Sequence, residues 1–349
     1  MITTHTLLFQ NASNLEHISS GSVALAVTSP PYPMIEMWDA GFTSQNPDIA
    51  RALEAADEKT AFELMHLELD KVWSELYRVL IDGGIACINI GDATRTVAGR
   101  FQLFSNHARI IQHCIASGFM MLPIILWRKP TNSPNKFMGS GMLAPGAYVT
   151  LEHEYILIFR KGGKREFSSP QEKERRAESA FFWEERNRWF SDIWELKGTP
   201  QKMTADTARQ RSAAFPFELA YRLINMFSVQ GDTVVDPFLG TGTSMKAAIA
   251  AARNSIGVEI DPDFGSIITN DIKDCGDHLN QYIQERLQRH REFAAEYQVE
   301  KKALKYTSVY HDFPVMTRQE IHIRIPIINE ITQLENGNFQ AGYSVPNRP

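Results

Sequence analysis

The stretch "VVDPFLGTGTSMKAA", residues 234–248, decides the fold. An apolar, β-branched run ends in Asp236, a turn with Gly240 and Gly242 follows, and a run of small residues with helical character begins at Thr243. Glycines at such a turn let the backbone enter left-handed conformations and approach a ligand closely. The next run, "SIGVEID" (255–261), is a second short strand that places Glu259 at its end, where a carboxylate can accept hydrogen bonds from ribose hydroxyls. A full dinucleotide fingerprint needs glycine where Met245 stands, and a P-loop needs Gly-Lys-Ser/Thr, so neither pyrophosphate-binding pattern is met. A nucleoside cofactor without a pyrophosphate, such as S-adenosylmethionine, fits the spacing.

Outward from this unit the chain alternates short apolar runs with helical patterns, the signature of an α/β parallel sheet. Val23–Val27 and Ile85–Ile90 are strands, and Ala61–Leu80 places Phe62, Met65, Leu69, Val72, Trp73 and Leu76 at helical spacing. "DGG" (82–84) is expected to end that helix. His107–Phe119, Met121–Trp127 and Glu154–Lys161 give a helix closed by Gly118 and two further strands. Residues 215–227 form a helix with Pro216 near its first turn, Gln281 to about Lys302 a long polar helix, and Glu320–Pro326 an edge strand.

The bulk numbers bound the class. At 349 residues, 43% hydrophobic and with a net charge of −5, the chain is an ordinary globular protein rather than a globally basic nucleic-acid binder. It carries no apolar run of bilayer length, and its first residues lack a secretory pattern, so a cytoplasmic, non-membrane location is expected. Cys87, Cys114 and Cys275 are widely spaced, which suggests neither a disulfide framework nor a metal cluster; no metal is expected. One local departure is "RKGGKREFSSPQEKERR" (160–176), with seven basic residues against three acidic.

The last informative stretch is "VTSPPY", residues 27–32. Two adjacent prolines stop the strand and stiffen the turn, with a hydroxyl on one side and an aromatic ring on the other. Together, "TSPPY" (28–32) and "DPFLGTGT" (236–243) with "GVEID" (257–261) resemble the signature blocks of DNA amino-methyltransferases. Their order, the SPPY block first and the glycine loop last, resembles the circularly permuted β group of that family. "LWRKPTNSPNKF" (126–137), "EHEYILIFRKG" (152–162), "DIWELKGT" (192–199) and "FPFELAYRLI" (215–224) agree with other family blocks. Two positions depart: "RQRSAAFPF" (209–217) lacks the His that many relatives carry, and Asn11 stands where they usually have aspartate.

The resemblance implies an S-adenosylmethionine-dependent methyltransferase fold, Rossmann-like with a mixed, mostly parallel sheet. It implies a catalytic half at 1–161, a target-recognition region at 162–205, a cofactor half at 206–277 and an extension at 278–349. It further implies that S-adenosylmethionine is held by Asn11, Thr28, Asp236, Phe238, Gly240, Gly242, Thr243 and Glu259. Ser29, Pro30, Pro31 and Tyr32 would form the catalytic turn. The Ser29 side chain and the Pro30 carbonyl would receive the target amine, and Tyr32 would stack on a base flipped out of double-stranded DNA. Trp38 is a second candidate for the pocket wall, and Lys161, Lys164, Arg165, Arg175 and Arg176 for phosphate contacts.

Ser29 in the first position points to the N4 amine of cytosine. Adenine enzymes more often carry Asp or Asn there, so N6-adenine is the alternative. A DNA-binding protein that keeps the fold without turnover is the alternative from another class. C5-cytosine chemistry is excluded, because it needs a thiolate after a proline and no cysteine here follows one. A cognate restriction endonuclease acting on the same site and a homodimer are the protein partners such an enzyme admits.

Overall fold

The computed structural model describes residues 1–129, 138–198, 215–300 and 303–346. The strands are β1 (Ile2–Phe9), β2 (Val23–Thr28), β3 (Leu80–Ile90), β4 (Ala93–Val97), β5 (Arg100–Phe104), β6 (Phe119–Met121), β7 (Ile125–Arg128), β8 (Met138–Gly139), β9 (Ala147–Tyr148), β10 (His153–Lys161), β11 (Ile193–Glu195), β12 (Thr233–Asp236), β13 (Asn254–Glu259), β14 (Tyr306–Thr307), β15 (Pro314–Val315), β16 (Ile327–Gln333) and β17 (Phe339–Ser344). The helices are α1 (Asp39–Gln45), α2 (Pro47–Glu54), α3 (Glu58–Val79), α4 (Asn106–Ala116), α5 (Pro170–Glu178), α6 (Trp183–Trp189), α7 (Phe217–Phe227), α8 (Thr243–Ala250), α9 (Phe264–Asp274) and α10 (Gly276–Glu300).

The main sheet runs β11-β7-β10-β3-β2-β12-β13-β1-β17-β16, with β6 also on β10. β3, β2, β12, β13 and β1 are parallel, so their carboxyl ends share one rim. β10 runs against β3, and β17 against β1. The fold class expected from the sequence is therefore present: a mixed α/β sheet, parallel at its centre, with helices on its faces. The two sequence halves meet at β2 and β12, where the chain order reverses, the place where open α/β sheets bind ligands.

Burial explains the elements. β2 is buried at every position, as a central parallel strand should be. α3 begins at Asp57, whose side chain accepts the Thr60 N–H at 3.2 Å, and buries Ala61, Met65, Leu69, Val72, Trp73 and Leu76 as one stripe. α3 ends at Val79, and Leu80 is already extended. Asp82-Gly83-Gly84 lies in a bulge of β3, between the pairs Val23–Leu80 and Leu25–Ile85, rather than at a helix end. The expected strand 121–127 is split into β6 and β7 around Pro123. A short 3₁₀ turn ends at Glu320 and the backbone from Ile321 to Pro326 is irregular; the edge strand, β16, starts after Pro326.

Residues 162–198 are woven into the body. Phe182, Trp189 and Trp194 belong to the same buried cluster as Leu219, Tyr221, Ile224 and Leu287. β11 pairs in parallel with β7, and Glu185 and Glu184 meet Arg286 and His290 of α10. The family block at 130–137, the boundary placed at 205 and the departure at 209–214 lie outside the described residues. No described helix is long and apolar enough to cross a membrane.

Candidate active site

A cavity of about 500 Å³ opens at the carboxyl rim, within the size range of small-molecule sites. Its wall includes Ser29, Pro30 and Pro31 after β2, and Asp236, Phe238, Gly240 and Thr243 after β12. Glu259 at the end of β13, Asn11 after β1, and Trp38 also line it. The structure thus brings the SPPY turn and the glycine loop, far apart in sequence, into one chamber.

Asp236 organises the junction. Its carboxylate accepts Thr28 Oγ1 at 2.6 Å, Ser244 Oγ at 2.6 Å and the Phe238 N–H at 3.0 Å, tying β2 to the loop after β12. Burial raises its pKa to about 6, against the lowering effect of these three donors. Thr28 is fully buried in this contact and does not line the cavity. Gly242, at φ 84°, is the left-handed residue from which α8 starts, and it too lies behind the wall. Glu259 takes the Gly240 N–H at 2.8 Å on one oxygen and the Asp261 N–H at 2.9 Å on the other. Burial raises its pKa against the lowering effect of its backbone donors, and the carboxylate keeps acceptor capacity beyond them. That carboxylate on a strand end, a glycine loop beside it and apolar Phe238, Ile260 and Phe264 fit the ribose and adenine of a nucleoside cofactor.

The SPPY turn is packed differently from expectation. Tyr32 is only 6% exposed and does not line the cavity. Its ring lies against Gly91, where an added Cβ would come within 2.9 Å of it. Its hydroxyl donates to Glu154 Oε2 at 2.9 Å, accepts Asn89 Nδ2 at 2.8 Å and lies 3.1 Å from Ser29 Oγ. Burial, then the Glu154 charge, push the phenol well above its ordinary pKa. Trp38, on a short 3₁₀ turn, lines the cavity instead, and neighbouring Asp39 is held by Arg95 Nη1 and Nη2 at 2.9 and 2.7 Å.

The basic run sits at the other rim. β10 runs against β3, so Lys161 lies beside the start of that strand, about four residues, roughly 13 Å, from the level of Thr28. Lys161 donates to the Leu80 carbonyl at 2.8 Å, and Arg165 pairs with Asp232 through two bonds of 2.6 and 2.9 Å. Arg176 stacks over Phe167, Arg175 approaches Gly231, and Lys164 is exposed beside Arg165. These five cations therefore surround the strand starts, away from the chamber. Replacing Arg165 with Ala is expected to lower stability by about 1 kcal/mol and leave the salt dependence of DNA binding unchanged. A slope reduced by about one in log K against log salt would return Arg165 to the DNA.

Sequence reasoning passed over Asn89, Glu154 and Lys129. Asn89 and Glu154 share a 2.7 Å bond, and Lys129 pairs with the other Glu154 oxygen. A signal was there: Asn89 interrupts the apolar run Ile85–Ile90 of a central strand. Met37, Phe42 and Gln45, on or beside α1, also reach the cavity without a motif to mark them.

Comparison with known proteins agrees with this geometry. The model of a DNA methylase family, the N6- and N4-amino type, matches residues 23–270. The chain is 49% identical to the type II methyltransferase M.MthZI of Methanothermobacter thermautotrophicus, over 99% of this chain and 97% of that one. It is 53% identical to the type II methyltransferase M.MjaI of Methanocaldococcus jannaschii, over 77% of this chain and 91% of that one. Among solved structures, a DNA modification methylase of Thermus thermophilus, crystallised with S-adenosyl-L-methionine, aligns with a TM-score of 0.59 and 32% identity. That alignment covers 76% of this chain and 92% of the other. S-adenosylmethionine is accordingly the cofactor of this chain. The chain belongs to the DNA amino-methyltransferase family.

Proposed function

We propose that the protein is a site-specific, type II DNA methyltransferase that methylates the N4 amine of a cytosine flipped out of double-stranded DNA. The observation that carries the reading is the single chamber with Ser29 and Pro30 on its wall beside the cofactor loop. When bound, S-adenosylmethionine supplies a methyl group on a positively charged sulfur, with a neutral thioether as leaving group.

An exocyclic amine is a poor nucleophile, because its lone pair is delocalised into the ring. Acceptors for both of its N–H bonds favour a tetrahedral nitrogen whose lone pair points at the methyl group. Ser29 Oγ and the Pro30 carbonyl serve as those acceptors, and the prolines leave the turn little freedom to lose. With the methyl donor bound, the nitrogen lone pair would form the new N–C bond as the donor's S–C bond breaks, and the surplus N–H proton would pass to water. Trp38 takes the stacking role that the buried Tyr32 ring is not placed to fill, offsetting part of the few kcal/mol that unstacking costs.

Ser29 is what favours cytosine over adenine. N6-adenine methylation by the same chamber is the second reading, since the two amines need the same pair of acceptors. The DNA approaches the carboxyl rim, and the division of labour between 1–161 and 206–277 follows the two sides of the chamber. The similarity to type II methyltransferases favours a restriction endonuclease of the same specificity as its companion. Transfer of labelled methyl groups to DNA, followed by mass spectrometry of the nucleosides, is expected to give N4-methylcytosine. N6-methyladenine alone would overturn the cytosine assignment, and no label above background would overturn the activity.

A further inference from the structure

Ser29 can accept a hydrogen bond from the target amine only if its own hydrogen points elsewhere, and the surrounding bonds determine where. Glu154 has a side chain only 14% exposed, and an ionised carboxylate accepts but cannot donate. Lys129 donates to its Oε1, and Asn89 Nδ2 to its Oε2 at 2.7 Å. Tyr32 Oη, 2.9 Å from that same Oε2, must therefore give its one hydrogen to Glu154. With its hydrogen spent, Tyr32 Oη can only accept, from Asn89 at 2.8 Å and from Ser29 Oγ at 3.1 Å. The Ser29 hydrogen is thus drawn into the protein, and Oγ, touched otherwise only by a long 3.5 Å contact from Asn89 Nδ2, keeps acceptor capacity for the cavity.

We propose that Glu154, anchored by Lys129, is a positioning residue that acts through Tyr32 to fix the Ser29 hydroxyl as a hydrogen-bond acceptor. This rests on the acceptor role of Ser29 argued above. Two further observations support it. Burial and the nearby carboxylate keep the Tyr32 phenol protonated, so it remains a donor to Glu154 at neutral pH. Gly91 provides the space for the Tyr32 ring, since a Cβ there would also come within 3.3 Å of Glu154 Cγ. The assembly spans β2, β3, β7 and β10, four strands brought together only by the sheet.

The test compares Glu154→Gln, Tyr32→Phe, the double variant and Ser29→Ala, measuring kcat, KM for S-adenosylmethionine and the thermal midpoint of each. A glutamine amide can donate to Tyr32 and reverse the chain of hydrogen bonds, whereas Tyr32→Phe removes the link and keeps the ring packing. Each single variant is expected to lower kcat by about tenfold or more with KM within about twofold. The double variant is expected to be no worse than the more damaged single variant, because both break one chain. Losses that multiply, or a Glu154→Gln enzyme with wild-type kcat beside an impaired Ser29→Ala, overturn the proposal alone. An unimpaired Ser29→Ala overturns the acceptor reading and this proposal with it. Where Glu154→Gln does not fold, Tyr32→Phe decides: wild-type kcat overturns the proposal and a selective kcat loss supports it.

Discussion

Ser29→Ala is expected to lower kcat by about 10²–10³-fold while leaving S-adenosylmethionine affinity within about twofold. The size follows from what the hydroxyl does. In the proposed role it receives one N–H of an amine whose geometry changes during the reaction, so its contribution would grow toward the transition state and be small in the ground state. Removing one preorganised partner of a developing charge costs about 2.7–4 kcal/mol in comparable sites. The proposed cofactor end of the chamber involves other residues, Gly240 in the loop after β12 and Glu259 at the end of β13. A split between kcat and cofactor affinity is therefore the signature. Isothermal titration with the cofactor and single-turnover methyl transfer on one duplex would measure both. Parallel losses in the two would mean that Ser29 shapes the chamber rather than receiving the amine.

The parts of this protein that were legible in its sequence are those whose chemistry is local. "TSPPY" and "DPFLGTGT" each carry their own geometry, fixed by prolines in one and glycines in the other, and they lie on adjacent strands because both follow buried runs. Elements with a clean period, such as α3 and β2, were equally plain. Where local signals conflict, the reading moved. Asp82-Gly83-Gly84 has the composition of a helix end, but the pairing of β3 with β2 draws Leu80 into the sheet first. Glu320–Ile325 alternates like a strand, yet the sheet takes the residues after Pro326.

The basic run illustrates a different obstacle. Composition gives the charge of residues 160–176 but not the rim on which it sits, and that depends on the direction of β10 relative to β3. Asn89, Glu154 and Lys129 were hidden for a related reason. Each is unremarkable in its own segment and acquires a role only through partners 25 to 65 residues away. Tyr32 was located by its motif, but its neighbours turn it from a surface for stacking into a link between Ser29 and a carboxylate.

Arg286→Leu is expected to destabilise the whole protein by about 3–5 kcal/mol, the cost of leaving a buried carboxylate without its partner. The guanidinium is 4% exposed; its Nε and Nη2 donate to the two Glu185 oxygens at 2.6 and 2.8 Å, and Nη1 to Tyr221 Oη at 3.0 Å. Burial opposes its charge, but Glu185 and Tyr221 outweigh that and push its pKa above the ordinary value. It also lies over the rings of Trp189 at 5.3 Å and Phe182 at 5.7 Å. This one side chain joins α6 of the segment expected to recognise DNA, α7 of the cofactor half and α10 of the extension. If those three act as one body, urea unfolding of Arg286→Leu keeps a single transition with a lower midpoint and an unchanged slope. If residues 162–198 were an independent module, the variant would show two transitions, with the upper one at the wild-type midpoint. Replacing Glu185 by Leu as well should recover part of the loss, because the stranded charge is then gone. The expected single transition has a consequence for specificity. Were this segment to recognise DNA, as the resemblance implies, it would do so from a frame locked into the core by Phe182, Trp189 and Trp194, so changes to its surface would alter recognition without altering the chamber.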